Sequence, residues 1–275
     1  MISEPVTREA VASHYDELDH FYRDVWGEHV HHGLWLRGNE SREEAVLNLV
    51  DLIAHEAQVD SGTRICDIGC GYGATARVLA SRGADVTGIT ISPAQFAFAQ
   101  MNSSNAKFVC ADWMENELPN ESFDAAVAVE SSEHMPDINR FFAQANRVLR
   151  LGGRLVITAW LSADAPSERE KRWLLQPVCR EGRMPNMGTV ADYESLGQTN
   201  GFKVERFQDI TKSVAHTWPA IVRRFLAKLA TNPRYISFIL SRHAKNRVFA
   251  LTIFRIWFAY KTDAMRYGVF TFVKN

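Results

Sequence analysis

Apolar and aromatic positions recur at helical spacing through the first quarter of the chain. Val11, His14, Tyr15, Leu18, Tyr22 and Val25 fall at i, i+3, i+4, i+7, i+11 and i+14, one face of an amphipathic helix. Val46, Leu49, Val50, Ile53 and Ala57 repeat the pattern, and Ser61-Gly62-Thr63 closes that segment. From residue 64 the pattern changes to short apolar runs: RICDI (64–68), DVTGITI (85–91), KFVCA (107–111), FDAAVAVE (123–130) and GRLVITAW (153–160). Runs of this length predict buried strands. Helical segments separate them. One covers Ala74–Ser81, and one is opened by Ser92 as N-cap with Pro93 at the first helical position. A third carries Ile138, Phe141, Phe142, Ala145, Val148 and Leu149 on one face, and LGG (151–153) is expected to stop it. GFKVERFQDI (201–210) is a late strand. About fifty helix-prone residues follow, roughly three to four helices of usual length, before a last strand, GVFTFVK (268–274).

Strands alternating with helices at this spacing imply right-handed crossovers and a mostly parallel sheet covered on both faces. The expected organisation is one domain over 1–275. It divides into an N-terminal helical segment (1–60), a doubly wound α/β core (61–212), a helical insertion (213–262) and the final strand (263–275).

Composition fits an ordinary globular enzyme, with 46% hydrophobic and 23% charged residues. The first twenty residues carry charges throughout and lack an apolar core, so no secretory leader is expected. No uncharged apolar run reaches the ~20 residues that span a bilayer; VFALTIFRIWFAY (248–260) is short and contains Arg255. Cys66, Cys70, Cys110 and Cys179 do not form a disulfide framework, and no second cysteine pair follows Cys66 and Cys70 at zinc-ligand spacing. A reduced, cytoplasmic protein is the expectation.

The net charge of −1 hides an asymmetry. From Thr211 onward there are twelve Lys/Arg and one acid, Asp263, a balance of +11, so the remainder carries −12. A basic, aromatic-rich quarter attracts something anionic: a membrane surface, a phosphorylated substrate or nucleic acid. The plainer alternative is a solvated helical cap that balances an acidic core.

Two stretches carry chemistry. In DIGCGYG (67–73) glycines stand where a strand turns sharply into a helix and backbone must approach a ligand. With Ala74 the segment also fits G-x-G-x-x-A, which keeps a dinucleotide open, although such a match alone is weak. Against a dinucleotide, Asp67 precedes the first glycine by two residues, where it can meet a cationic group. The acid expected about 20 residues downstream for the ribose is also missing, since the second strand ends in Gly88-Ile89-Thr90. In WGEHVHHGLW (26–35) Glu28, His29, His31 and His32 fall within five residues, a spacing that by itself leaves a metal site open.

D-x-G-x-G-x-G after a strand resembles the cofactor loop of class I S-adenosylmethionine-dependent methyltransferases. ITISPAQ (89–95), VESSEHMPD (129–137) and YDELDHFYRDVWGEHVHHGLW (15–35) are similar to segments of the tocopherol methyltransferases and the related cyclopropane fatty acid synthases. The spacing of residues 174–202 agrees as well. The likeness covers nearly the whole chain and is least specific between about 218 and 260.

This resemblance implies a Rossmann-like sheet of seven strands with the last antiparallel. It implies S-adenosylmethionine as cofactor and S-adenosylhomocysteine as product. Asp67, Gly69, Cys70, Gly71 and Gly73 would take the methionine part. Thr90 and Gln95, with Ile91 between them, would meet the ribose in place of the usual acid. Asp112 would meet the adenine amino group, and Trp113 would pack on the base. Glu130, Ser131, Glu133 and His134 would face cofactor or acceptor, with Glu130 grouped with the cofactor. Tyr15 would lie on a helix that folds over the cofactor as a lid.

The candidate bases are His134, Glu133 and His32, and no metal is assigned. The acceptor implied is a small apolar compound, aromatic, phenolic or prenylated, methylated on carbon, oxygen or nitrogen. The basic quarter would allow peripheral contact with an anionic membrane, and nucleic acid is not among the partners. Three other functions stay open. They are C-methylation of a prenyl diphosphate, with the adjacent histidines and basic residues suiting the diphosphate and its metal; a NAD-binding oxidoreductase; and a non-catalytic adenosylmethionine-binding or scaffold protein.

Overall fold

The computed structural model of the chain describes residues 1–240 and 249–275. The predicted helix at the N-terminus is α1 (Arg8–Val25), capped by Thr7. It is followed by α2 (Arg42–Glu56), whose N-terminus is closed by a capping box of Ser41 and Glu44. The core then runs β1 (Arg64–Ile68), α3 (Ala74–Ser81), β2 (Asp85–Thr90), α4 (Pro93–Met101), β3 (Lys107–Cys110), β4 (Phe123–Val129), α5 (Ile138–Val148) and β5 (Leu149–Ser162). A helix over 168–181, α6, is widened to a π-helical segment at Lys171–Leu175. Pro177 has no N–H to give the carbonyl four residues back, which accounts for the change of pitch there. After α7 (Val190–Thr199) and β6 (Phe202–Asp209) come α8 (Thr217–Thr231), α9 (Pro233–Leu240), α10 (Phe249–Lys261) and β7 (Met265–Lys274). The predicted insertion is therefore helical over 217–231, 233–240 and 249–261, and its residues 241–248 lie outside the described residues.

The seven strands form one sheet in the order β3-β2-β1-β4-β5-β7-β6. β1 pairs in parallel with β2 (Ile65 opposite Val86) and with β4 (Ile65 opposite Ala125). β7 enters between β5 and β6 and runs antiparallel to both. Side chains alternate between two cores. Ile65, Val127, Val156 and Val269 face the side covered by α2, α3 and the helices after β6. Ile68, Ala126, Leu155, Ile157, Phe270 and Phe272 pack with Phe141, Phe142 and Val148 of α5. The strand order reverses direction about β1, the place where open α/β sheets hold ligands beyond their carboxyl ends.

One boundary differs from expectation. LGG does not stop α5; the helix ends at Leu149, where the backbone is already extended (ψ 141°) and has joined β5. The glycines instead form an irregularity inside the strand. Leu149 stands opposite Phe123, and pairing resumes at Arg154 opposite Ala125. Gly152 has φ +73°, and a Cβ on Gly153 would stand 2.8 Å from the Arg150 carbonyl oxygen. Two glycines thus serve a bulged strand entry rather than a helix stop.

Candidate active site

The glycine turn leaves β1 at Ile68. The N–H groups of Gly69 and Cys70 donate to the Ile89 carbonyl at 2.8 and 3.0 Å, fixing the turn against β2. Gly69 has φ +73°, and a Cβ there would lie 2.5 Å from that of Ser131, whose hydroxyl donates to the Ile68 carbonyl at 2.5 Å. Gly71 (φ +54°) is different, because a Cβ would meet only the Gln95 amide nitrogen, at 3.8 Å, and would stand in the cleft. Gly73 does not line that cleft. A Cβ on it would strike the Phe108 ring at 2.5 Å, so it serves close helix–strand packing. Cys70 packs beneath Gly88. Behind the turn, Asp67 is buried; it accepts from the Ala76 N–H, and its Oδ2 has no partner. Burial pushes its carboxyl up to about 7. Asp67, Cys70, Glu28, His29 and His31 line one small cavity beside the turn.

At the end of β2 the Thr90 hydroxyl donates to Gln95 Oε1 at 3.1 Å. Ser92 caps α4 by accepting the Gln95 N–H at 3.2 Å and donates to Asp16 of α1 at 2.6 Å, tying the N-terminal helix to the sheet. At the end of β3, Asp112 caps the following turn, accepting the Met114 N–H at 2.9 Å. The Trp113 indole N–H is fixed on the Phe141 carbonyl at 3.2 Å. Gly69, Gly71, Thr90, Ile91, Gln95, Asp112 and Trp113 are thereby gathered along one cleft of about 770 Å³, partly open to solvent, with Tyr15 and His134 at its other wall.

Tyr15 and His134 also line a second cavity, with His32, Glu130, Glu133 and the indoles of Trp26, Trp160 and Trp218. Glu130 has φ +51°, a conformation that costs a non-glycine residue energy and turns its carboxylate inward. Its Oε1 accepts from the His32 N–H (2.7 Å), His32 Nδ1–H (3.0 Å) and the Tyr267 hydroxyl (2.7 Å). Oε2 accepts from the Trp160 indole N–H at 2.8 Å. Burial would raise this carboxyl, but the His32 N–H groups directed at it outweigh that and hold it down at about 2. Glu133 behaves oppositely. Burial, helped by the charge of Glu130, pushes it up to about 8 despite the Trp160 N–H on Oε1 (2.6 Å) and the Ser132 hydroxyl on Oε2 (3.1 Å).

His134 bridges two segments. Its Nδ1–H donates to the Arg183 carbonyl at 3.1 Å, which leaves Nε2 to accept the Tyr15 hydroxyl at 2.9 Å. Burial lowers the His134 pKa and keeps the ring neutral, and burial raises that of Tyr15.

One expectation changes at this point. His32, a candidate base, has both ring nitrogens engaged: Nδ1–H on Glu130, and Nε2 accepting the Trp218 indole N–H at 2.9 Å. An indole can only donate, so no lone pair is left on the imidazole for an acceptor's proton. Glu130, grouped with the cofactor, lines the cleft as well as the second cavity, with its oxygens accepting from four protein donors. The histidine stretch is a string rather than a ligand set. His29 Nδ1–H donates to His31 Nε2 at 3.0 Å, and His31 Nδ1–H donates to the His32 carbonyl at 2.7 Å. Burial lowers both rings, His29 to about 3. Among the described residues, no three His, Cys, Asp or Glu side chains gather as a metal site.

Sequence reasoning missed Trp160, Trp218, Tyr267 and the Arg183 carbonyl. Trp160 had a signal, since it stands at the carboxyl end of β5. The others sit in segments without a motif.

The chain matches the family model for mycolic acid cyclopropane synthetase over residues 3–243. It is 29% identical to the chloroplastic tocopherol O-methyltransferase of Arabidopsis thaliana, over 96% of this chain and 81% of that one. It is 32% identical to 27-O-demethylrifamycin SV methyltransferase of Amycolatopsis mediterranei, over 80% and 83%. Among solved structures, the [4+2]-cyclase SpnF superposes with a TM-score of 0.81 at 27% identity, over 99% of this chain and 98% of that one.

Proposed function

Since the chain belongs to the mycolic acid cyclopropane synthetase family, we propose that this S-adenosylmethionine-dependent methyltransferase methylates an apolar phenolic or prenylated aromatic acceptor held behind Tyr15. The cofactor supplies an electrophilic methyl group on a sulfonium centre and leaves as S-adenosylhomocysteine. The unpartnered Oδ2 of buried Asp67 and the open face of Gly71 fit the aminoacyl end of that molecule. In this reading Gly69, Cys70 and Gly71 cradle the methionyl part, Thr90 and Gln95 hold the ribose diol, Asp112 takes the adenine amino group, and Ile91 and Trp113 pack on the base. Residues 1–60 form the lid, fastened through Ser92 and Asp16.

The observation that carries the proposal is the hydrogen-bonded pair of Tyr15 and His134, which lines both cavities and so stands where a methyl group would cross. Methyl transfer is governed by proximity and alignment, and a base is required only when the acceptor must lose a proton. The Tyr15 hydroxyl can accept the acceptor's phenolic proton while passing its own to His134 Nε2. Tyr15 stays neutral throughout, as its raised pKa requires, and the imidazolium formed is held by the Arg183 carbonyl. Glu130, ionised at neutral pH, and Glu133, once ionised, place negative charge beside that imidazolium. Indole walls suit an aromatic acceptor.

A prenyl diphosphate is a poor match. Among the described residues, the lining of the second cavity includes two carboxyl groups and no Lys or Arg. A dinucleotide would lack its ribose acid. The test is a product screen with labelled cofactor over phenols, quinols and prenyl diphosphates. A methylated phenol or quinol with equimolar S-adenosylhomocysteine is expected. Methylation of diphosphates alone, or bound cofactor without S-adenosylhomocysteine, would overturn the proposal. The basic, aromatic C-terminal quarter extends the reading to acceptors dissolved in an anionic membrane, with the protein held at its periphery.

A further inference from the structure

Helix α10 has two faces of unusual character. Its inward face carries Ile253, Ile256, Ala259 and Tyr260, all buried, and Thr252 and Ile256 line the acceptor cavity. Its outward face, which in a soluble helix is normally polar, carries Phe254, Trp257, Phe258 and Lys261 at i, i+3, i+4 and i+7, all exposed. Phe258 is 58% exposed. α10 packs against the π-helical segment of α6, where Trp173 is 66% exposed and the Arg172 guanidinium lies 5.4 Å from its ring centre. Large aromatic side chains on an exposed stripe require a partner.

The charge around them narrows that partner. α10 contains Arg255 and Lys261 and no acid. The Arg255 charge is met by Glu181 and that of Lys171 by Glu168, whereas Lys261 and Arg172 extend the exposed face. Trp and Phe beside Lys and Arg are the composition that settles at the headgroup level of a bilayer. Among the described residues no helix is long and apolar enough to cross one.

We infer that the outward face of α10, with Trp173, docks the protein on an anionic lipid surface, so that the helix inserted at the headgroups is the same helix that walls the acceptor cavity. This rests on the reading of the acceptor as membrane-dissolved. Docking of this kind shortens the route of an apolar acceptor from the lipid phase to Glu133 and His134.

The test is flotation of the full chain with vesicles of phosphatidylglycerol and phosphatidylcholine. A companion variant, Phe254→Ser/Trp257→Ser/Phe258→Ser, is checked for folding by cofactor affinity. The wild-type chain is expected to float with the anionic vesicles, less so as salt rises, because the attraction is screened. The variant is expected to lose about tenfold or more in partitioning while keeping its cofactor affinity and its turnover of a water-soluble phenol. Three results would overturn the inference: wild-type protein left in the soluble fraction, equal flotation of the variant, or a homodimer in sedimentation that the triple substitution dissociates. Turnover of the soluble phenol reports separately on the proposed function, so failure of docking and failure of methyl transfer are told apart.

Discussion

The Tyr15 hydroxyl donates to His134 Nε2 at 2.9 Å across 119 residues of chain, joining α1 to the loop after β4. The bond fixes which nitrogen of His134 carries the proton, because Arg183 takes the other. If the pair acts as a relay, Tyr15→Phe and His134→Gln should each lower kcat about a hundredfold or more, with cofactor affinity changed far less. The double variant should be no worse than the poorer single one. Single-turnover kinetics with calorimetric cofactor binding checks this; multiplicative losses would mean that the two act separately.

Glu133 titrates near 8 in the folded protein, against about 4.3 for a free glutamate. Its ionised form therefore grows as pH rises, and kcat/KM should climb through an inflection near 8. Glu133→Gln should abolish that inflection. The same raised value means that the folded state loses stability as pH rises from about 4.3 through 8. A flat wild-type profile would remove the electrostatic role of Glu133.

Glu130 is held at about 2, below the free value near 4.3. The stability it contributes is complete above the free value and is lost as pH falls toward 2. Glu130→Ala should cost about 3–5 kcal/mol, since it strands buried donors of His32, Trp160 and Tyr267. Urea unfolding at neutral pH measures the loss, and a change under 1 kcal/mol would make the network incidental.

Thr90→Val with Gln95→Ala, and separately Asp112→Ala, should weaken cofactor binding about tenfold or more, the scale of one or two hydrogen bonds. Unaltered dissociation constants would refute the ribose and adenine assignments.

Gly69→Ala meets two obstacles, the φ of +73° and a Cβ 2.5 Å from Ser131. A loss of about 1–3 kcal/mol and of cofactor binding is expected. By contrast, Gly152→Ala (φ +73°), with nothing within 4 Å of its Cβ, should leave cofactor affinity intact. Thermal melts with and without cofactor distinguish the pair.

The sheet was legible because its strands are buried on both faces and read as apolar runs; RICDI and ATARVLAS coincide with β1 and α3 to the residue. LGG misled because a glycine pair after a helix has two uses, and only the register of β4 with β5 chooses between them. The cleft was legible from the ends of strands, where motif and topology coincide. The second cavity was not. His32 and Glu130 are 98 residues apart and His32 and Trp218 are 186 apart, so the saturation of His32 depends on tertiary partners that no local pattern announces. Nor does sequence reveal that Glu130 sits at positive φ.

β7 lies inside the sheet and sends Tyr267 to the Glu130 carboxylate. Every residue that lines the cleft comes from the stretch 11–136, whereas the polar network of the second cavity draws on Tyr267 as well. The two cavities thus differ in their reach along the chain: a fault in β7 touches the second directly and the first only through the sheet.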